Sequence, residues 1–291
     1  MKKSTLLHLR IPFSFFLMPV FLFAWSIMPD VAIWRFISVF IILHLLVYPA
    51  SNGYNSYFDK DEESIGGLKE PPKVSKELYN WSILLDVAAL IWACFIDIRF
   101  AAFILIYGLV SKAYSHPSVR LKKMPYVGWF AAGFFQGYFT FILTLIGLHS
   151  PEISLLTDWS VQLPAILSTL LLFGSYPMTQ IYQHHEDARR GDLTISRILG
   201  ILGTFHFTAG AFFLSSIGFF YYYYHFVEAN SGIIFYAALS PVLIYFNVWY
   251  LKVRKDRNLA DYDKTMMLNL LSAICLNAFF LYQGFSGMHA N

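Results

Sequence analysis

Charged residues are scarce in this chain. Asp, Glu, Lys and Arg make up only 13% of its 291 residues, whereas 57% are hydrophobic and the mean hydropathy is +0.53. Such a composition excludes an ordinary soluble domain of this length. The net charge of +3 says little by itself, and its placement is more informative. No nucleic-acid partner is expected.

Cysteine and a cleavable leader are the next absences. The 2 cysteines, Cys94 and Cys275, fall far apart inside apolar segments, so each is interpreted as a buried, unreactive thiol. The first ten residues are basic, but no small-residue cleavage site follows them. The apolar stretch after them is therefore interpreted as a membrane segment rather than a signal peptide.

Apolar runs of about 20 residues, the length that crosses a bilayer, are abundant. Nine of them predict membrane-spanning helices at about 11–29, 32–53, 78–96, 99–115, 127–148, 161–182, 197–224, 231–251 and 266–285. The predicted fold class is therefore all-α, a polytopic membrane protein, with residues 1–291 forming a single domain.

The basic residues predict the orientation of these spans. Most of the 21 Lys and Arg residues precede span one or follow spans two, four, six and eight. By the positive-inside rule those loops are cytoplasmic, which places the N-terminus inside and the C-terminus outside. We expect an integral, multi-pass protein of the cell inner membrane.

Two polar clusters interrupt the apolar sequence at the ends of spans two and six, both on the predicted cytoplasmic side. The first consists of Asn55, Asp59 and Glu63, and the second of Gln180, Gln183 and Asp187. Their spacings predict that each set shares one helical face, where carboxylate and amide oxygens suit a hard cation such as Mg²⁺. The neighbouring Asp61, Glu62 and Glu70 are interpreted as solvated loop residues, and Asp192 is left open between the two readings.

Two histidines and one basic segment near these clusters each allow two interpretations. His184 and His185 are either interfacial residues or contribute one donor or metal ligand to the site. The basic segment after span four, with Arg120, Lys122 and Lys123, either binds a diphosphate or supplies ordinary cytoplasmic charge.

With these motifs, the chain resembles the UbiA superfamily of intramembrane prenyltransferases. That superfamily carries Asn-Asp-x-x-Asp-x-x-x-Asp after the second helix and, in many members, Asp-x-x-x-Asp after the sixth. Here the first motif reads Asn55-Ser56-x-x-Asp59-x-x-x-Glu63 and the second reads Gln183-x-x-x-Asp187. The downstream Gly191 and Thr194, Tyr114-Ser115 and Arg120-Leu121-Lys122 also resemble family positions. Ser56, Glu63, Gln183 and His185 depart from the family pattern.

The resemblance implies nine helices around a central cavity and Mg²⁺-assisted ionisation of an isoprenyl diphosphate, whose prenyl group passes to a lipophilic, typically aromatic, acceptor. Asp59 and Asp187 would be catalytic. The implied metal ligands are Asn55, Asp59, Glu63, Gln183 and Asp187. The implied diphosphate-binding residues are Lys112, Tyr114, Arg120, Lys122, Gln180, His185 and Glu186. The candidate cavity residues are Gln136, Tyr138, Tyr176 and Tyr182.

Two alternatives stay open. In a terpene-cyclase-like member, a double bond of the prenyl chain captures the cation and no acceptor is needed. An ion-coupled transporter would instead place its acids near mid-span, whereas Asp59 and Asp187 lie at one membrane edge. Prenyl chain length, acceptor and oligomeric state have no signature in the sequence.

Overall fold

The computed structural model describes residues 1–290, with the side chains of residues 1–288. That part of the chain contains helices of several lengths and no β-strand. Eight helices are long and apolar enough to cross a membrane, and a bent pair supplies a ninth span. The spans, numbered one to nine, are Lys3–Phe16 with Met18–Ile27, Ile33–Asp59, Glu77–Cys94, Ile98–Ser115, Pro125–His149, Trp159–Gln180, Ile195–Phe226, Ala229–Lys255 and Tyr262–Ala290. The all-α, nine-span prediction is confirmed.

Span one is bent by 42° where Lys3–Phe16 meets Met18–Ile27, and its backbone is interrupted once more at Arg10. Arg10 adopts a left-handed conformation (φ 47°, ψ 43°) that ends the helix Lys3–Leu9, and a 3₁₀ segment, Ile11–Phe16, follows it. Pro12 and Pro19 each lack a backbone N–H and therefore occupy the first turn of the segment that follows each break. The bend brings the start of span one against span two.

Spans two and five each contain a π-helical turn, at Ile42–Val47 and Phe135–Phe139. The turn in span five packs against span six through Gly137, where an added Cβ would lie 2.6 Å from Thr169 Cα. The Tyr138 N–H donates to Thr169 Oγ1 at 2.8 Å. The neighbouring Gln136 lines the cavity described below.

Aromatic side chains form the centre of the bundle where spans one, seven, eight and nine meet. The rings of Phe23 and Phe280 stack at 4.4 Å, and those of Phe219 and Phe235 stack at 4.5 Å. These four side chains are fully buried. Large apolar residues also cover the outer surface of the spans, as expected for helices surrounded by lipid.

Three loops meet at the ends of spans two, four and six. We call residues 60–76 the first loop, residues 116–124 the second and residues 181–194 the third. The third loop contains a short helix, His184–Arg190, that ends at Gly191, whose φ of +71° favours glycine. Ion pairs between the loops hold them over one end of the bundle.

Candidate active site

A cavity of about 410 Å³ opens beneath the three loops and extends into the bundle. Acidic, basic and amide side chains line its mouth, including Asn55, Asp59 and Asp187. Its deeper wall is aromatic and includes Phe23, Phe219 and Phe280. The cavity therefore combines a charged end with an apolar interior.

Asp59 is the last residue of span two, and only 4% of its side chain is exposed. Its carboxylate forms an ion pair with Lys122 of the second loop, and Arg120 Nη1 lies 3.6 Å from its Oδ1. Oδ1 accepts no hydrogen bond from the described residues. One turn earlier, Asn55 donates to Ser115 Oγ at 2.8 Å, which orients its amide at the mouth. A buried carboxylate with a free oxygen is suited to receive a cation.

Asp187 lies on the short helix of the third loop. Its Oδ2 accepts a hydrogen bond from Thr194 Oγ1 at 3.4 Å. Burial raises the pKa of the Asp187 carboxyl to about 7, and the nearby charge of Asp192 adds to this, while Lys122, Arg190 and Arg197 act in the opposite direction. Burial makes this carboxyl group costly to ionise. A cation bound beside it would favour the ionised form.

Arginines connect the three loops above the cavity. Arg120 binds Asp192 with two hydrogen bonds, of 2.9 Å to Oδ2 and 3.2 Å to Oδ1. Arg190 contacts Asp61 Oδ1 and Glu186 Oε1, each at 2.5 Å. Glu186 Oε1 also accepts the backbone N–H of Glu62 at 3.0 Å. These pairs hold the three loops together, and they neutralise Arg120, which the sequence analysis assigned to the diphosphate.

Glu63 does not lie at the cavity. Span two ends at Asp59 because Lys60 adopts a left-handed conformation, so the prediction that Glu63 continues the helical face of Asn55 and Asp59 is wrong. The Glu63 side chain is 42% exposed and contacts Arg189 at 2.7 Å and His185 Nδ1 at 3.2 Å. Asp61, which the sequence reading placed in solvent, is buried and lines the cavity instead.

Five other predicted site residues do not line the cavity: Lys112, Arg120, Tyr138, His185 and Glu186. Arg120 pairs with Asp192 of the third loop instead. Lys112 pairs with Asp86 of span three and lies over the ring of Tyr54 at 4.9 Å. Tyr138 donates its hydroxyl to Gln162 at 2.8 Å. His185 is exposed on the outer surface of the third loop, and Glu186 serves as the buried partner of Arg190. For Lys112, Tyr138 and His185, the competing partner comes from a distant part of the chain, whereas Arg190 lies one helical turn after Glu186.

Most of the other predicted residues line the cavity. Tyr114 and Tyr176 share a hydrogen bond between their hydroxyls, and Gln180 Nε2 donates to Tyr176 Oη at 3.1 Å. Gln183 donates to Ser64 O at 3.2 Å, which ties the third loop to the first. The remaining predicted residues at the wall are Lys122, Gln136 and Tyr182. Sequence reasoning missed Arg10 and Arg190, which had been read only as orientation signals.

The sequence profile of the UbiA prenyltransferase family matches residues 16–273. The chain belongs to this family. The predicted enzyme class, a prenyltransferase, is confirmed at the level of the UbiA family. A comparison with curated protein sequences finds no match.

Solved UbiA structures share the fold. A UbiA homolog from Archaeoglobus fulgidus bound to GPP and Mg²⁺ aligns with a TM-score of 0.69 at 16% identity, over 98% of this chain and 99% of that one. The same homolog bound to DMAPP and Mg²⁺ gives a TM-score of 0.68 at 16% identity, over 98% of both chains. A structure of digeranylgeranylglyceryl phosphate synthase in membranes gives 0.61 at 19% identity, over 96% and 97%.

The UbiA site of this chain offers oxygen ligands but few free carboxylates. Among the described residues, no three His, Cys, Asp or Glu side chains are grouped to hold a metal ion by themselves. The mouth does hold the unpartnered Oδ1 of Asp59, the Asp187 carboxylate and the amides of Asn55 and Gln183. Carboxylate and amide oxygens fit Mg²⁺, which commonly completes its shell with phosphate oxygens and water.

Proposed function

We propose that this chain is a Mg²⁺-dependent intramembrane prenyltransferase. It binds an isoprenyl diphosphate, ionises the allylic C–O bond and transfers the prenyl group to a lipophilic acceptor, an aromatic ring or another lipid-like nucleophile. Residues 1–291 act as a single domain. One observation carries the proposal: Asp59 and Asp187, from the ends of two different spans, line the mouth of one cavity with an aromatic interior.

The residues that would hold Mg²⁺ are Asn55, Asp59, Gln183 and Asp187. When bound, the ion offsets the negative charge of the diphosphate and so makes it a better leaving group. The Archaeoglobus fulgidus homolog was solved with GPP and Mg²⁺ and with DMAPP and Mg²⁺, which supports this assignment for the shared fold. Glu63 is left out of the set because its side chain lies outside the cavity.

The protein's own residues support ionisation in two ways. Lys122 holds the Asp59 carboxylate and presents positive charge at the mouth, where the leaving diphosphate accumulates negative charge. The hydroxyls and amide of Tyr114, Tyr176 and Gln180 form a hydrogen-bonded layer below that mouth. The loop ion pairs and the packed interior keep water from the cation until the acceptor reacts.

The aromatic interior suits both the hydrocarbon tail and the positive charge that develops on it. Ring faces of Phe, Tyr and Trp attract cations electrostatically. Phe23 and Phe280 lie deep in the cavity, beyond the polar layer, and have no polar atom that could trap a carbocation. These two rings can therefore contact a prenyl chain without supplying a competing nucleophile.

We further propose that the protein resides in the cell inner membrane with the cavity mouth facing the cytoplasm. The three loops at the mouth carry Lys60, Lys69, Arg120, Lys122, Lys123, Arg189 and Arg190. Such an excess of Lys and Arg is typical of cytoplasmic loops.

Purified protein in nanodiscs tests the proposed reaction. We expect Mg²⁺-dependent diphosphate release from labelled geranyl, farnesyl or geranylgeranyl diphosphate when lipophilic phenols or membrane lipid extract are added. Asp59→Asn and Asp187→Asn should each lower the rate by about 100-fold or more, since each removes charge from the ionisation site. Asp263→Asn, at an exposed carboxylate paired with Lys69, is the matched control and should retain the rate.

Analysis of the products separates the two enzymatic alternatives. Prenylated acceptor identifies a transferase, whereas a cyclic hydrocarbon or terpene alcohol formed without acceptor identifies a cyclase. Diphosphate release that persists in both Asp variants would overturn the assignment of the metal site. Failure of the wild-type protein to bind any of the three diphosphates would overturn the proposed function.

A further inference from the structure

A second cleft lies where the first helix of span one, Lys3–Leu9, meets the start of span three. It is lined by three lysines and three further polar residues: Lys2, Lys73, Lys76, Ser75, Glu77 and Asn80. We call it the lysine cleft. None of these six residues lines the cavity of the candidate active site. The lysine cleft is therefore separate from that cavity, although Lys73 and Lys76 belong to the first loop on the same side of the bundle.

Hydrogen bonds between span one, the first loop and span three hold the walls of the lysine cleft together. Ser4 Oγ donates to the backbone oxygen of Lys73 at 2.5 Å. Thr5 Oγ1 donates to Glu77 Oε1 at 2.7 Å, and the backbone N–H of Lys2 donates to the same oxygen. These contacts join segments that are about 70 residues apart in the chain. The cleft is thus a defined feature of the fold and not a chance proximity of mobile side chains.

The lysines of the cleft have no carboxylate partner. Within the described part of the chain, four other lysines form ion pairs: Lys69, Lys112, Lys122 and Lys264. Lys2, Lys73 and Lys76 are exposed and form none. The Oγ of Ser75 is buried and has no hydrogen-bond partner among the described residues. The cleft therefore offers three ammonium groups and a hydroxyl to an oxyanion, and its one carboxylate, that of Glu77, already accepts hydrogen bonds.

An apolar stripe leads from the lysine cleft along span three. Asn80, Leu84, Val87 and Ile91 are spaced i, i+4, i+7 and i+11, so they share one helical face. The exposed fractions of Leu84, Val87 and Ile91 are 53%, 46% and 57%. A free phosphate ion cannot use such a surface, whereas the acyl chain of a lipid can lie along it. Unpaired basic groups at the polar end of an apolar membrane surface favour a lipid with an anionic headgroup.

We propose that the lysine cleft binds the phosphate headgroup of an anionic phospholipid whose acyl chain lies along the apolar stripe of span three. The ammonium groups and the Ser75 hydroxyl donate hydrogen bonds to the phosphate oxygens. A zwitterionic lipid such as phosphatidylcholine carries its own cation beside the phosphate, so three lysines favour an anionic lipid such as phosphatidylglycerol. The bound lipid belongs to the leaflet on the side of the cavity mouth, which is the cytoplasmic leaflet in the proposed orientation.

Native mass spectrometry of the detergent-purified protein, without Mg²⁺, tests this site with phosphatidylglycerol and phosphatidylcholine as probes. The double variant Lys73→Gln, Lys76→Gln removes two charges from the cleft. The double variant Lys252→Gln, Lys255→Gln removes two exposed lysines from the end of span eight and is the matched control. We expect the cleft variant to bind phosphatidylglycerol about 10- to 30-fold more weakly than wild type, and the control to stay within about twofold. Phosphatidylcholine binding should be the same in all three proteins.

Two further measurements separate a lipid site from a site for free phosphate. Glycerophosphoglycerol, which is the headgroup without acyl chains, and inorganic phosphate should each bind at least about 10-fold more weakly than phosphatidylglycerol, because they leave the apolar stripe uncovered. Phosphatidylglycerol with a diazirine in its acyl chain should cross-link the wild-type protein at residues 84–91 of span three. The cross-linking result does not depend on the folding of any variant.

Four results would each overturn the proposal. Wild-type protein that binds phosphatidylglycerol and phosphatidylcholine equally has no anionic headgroup site. An equal loss of phosphatidylglycerol binding in the two double variants indicates a response to general surface charge. Equal affinity for glycerophosphoglycerol and the lipid indicates a phosphate site that does not need a lipid. Cross-links that avoid residues 84–91 place the acyl chain elsewhere. All four leave the proposed function intact, since no residue of the cleft lines the active-site cavity.

Discussion

The backbone of Lys60 decides which acidic residue after span two reaches the cavity. Its left-handed conformation stops the helix at Asp59 and redirects the chain, so Asp61 turns inward and Glu63 turns outward. If the helix continued past Lys60, Glu63 would share the helical face of Asn55 and Asp59 and would point to the cavity. Since a non-glycine residue seldom adopts this conformation, the sequence alone gives no reason to end the register there.

Asp61 and Glu63 should therefore differ in their effect on activity. We expect Asp61→Asn to lower the rate of diphosphate release by about 10-fold or more, because it leaves Arg190 without one of its buried partners. Glu63→Gln should stay within about threefold of wild type, since it breaks only a surface pair. The measurement is the steady-state rate at saturating Mg²⁺. Equal loss in both variants would contradict the placement of Glu63 outside the site.

Lys112 shows that the position of a basic residue in the sequence does not tell whether it binds a substrate. It follows the cavity-lining Ser111 on span four, but its ammonium pairs with Asp86 of span three. Whether a basic residue is available to a substrate depends on such long-range partners. The sequence could identify the basic segment between spans four and five, but not which of its charges the protein itself neutralises.

Breaking this pair should affect stability and not substrate binding. Lys112→Met should lower the free energy of unfolding by roughly 2 kcal/mol, less than a fully buried pair because the two side chains are 17% and 22% exposed. The double variant Lys112→Met, Asp86→Leu should recover most of that loss. The test combines unfolding in detergent with Mg²⁺-diphosphate binding. Weakened diphosphate binding in the stable double variant would show instead that Lys112 serves the substrate.

At the scale of the elements, apolar length predicted the number and type of the helices but not their interruptions. The windows at 11–29 and 32–53 correspond to spans one and two, yet span two continues to Asp59 and span one bends at Arg10 and the prolines. An apolar run ends where polar residues begin, whereas the backbone hydrogen bonds of a helix can continue through polar residues. The π-helical turns depend on packing between spans and leave no periodic signal.

Gly137 provides a direct test of the π-helical turn. An alanine Cβ there would meet the backbone of Thr169, which cannot move without separating spans five and six. We expect Gly137→Ala to lower the free energy of unfolding by about 1–3 kcal/mol and to reduce activity, because Gln136 is displaced. Gly210→Ala is the matched control, since nothing lies within 4 Å of its added Cβ.

Thermal unfolding of both glycine variants in nanodiscs is the measurement. Gly210→Ala should be neutral or stabilising by up to about 1 kcal/mol, as alanine is the better helix former. If Gly137→Ala is equally well tolerated, spans five and six do not approach as closely as the π-helical turn requires.

At the scale of the whole molecule, the proposed orientation can be checked with single cysteines. In a variant lacking Cys94 and Cys275, we expect Ser154→Cys, between spans five and six, to react with a membrane-impermeant maleimide in intact cells. Asn258→Cys, between spans eight and nine, should react only after the membrane is opened. Both positions are exposed in the structure. The reverse labelling pattern would place the cavity mouth outside the cytoplasm and contradict the positive-inside assignment.

The fold as a whole was accessible from the sequence because bilayer thickness constrains every span in the same way. Asp59 and Asp187 were accessible because their motifs lie at the ends of apolar runs. The ion pairs at the mouth could not be predicted, because contacts between the loops match Lys122, Arg190 and Arg120 to Asp59, Asp61 and Asp192.

The central claim is that the two carboxylates at the cavity mouth hold a metal-bound diphosphate whose tail enters the aromatic interior. A crystal structure with Mn²⁺ and a non-hydrolysable geranyl thiodiphosphate tests it most directly. The account predicts anomalous metal density between Asp59 and Asp187, with the hydrocarbon directed toward Phe23 and Phe280. Metal density bound elsewhere, with no diphosphate at the mouth, would contradict it.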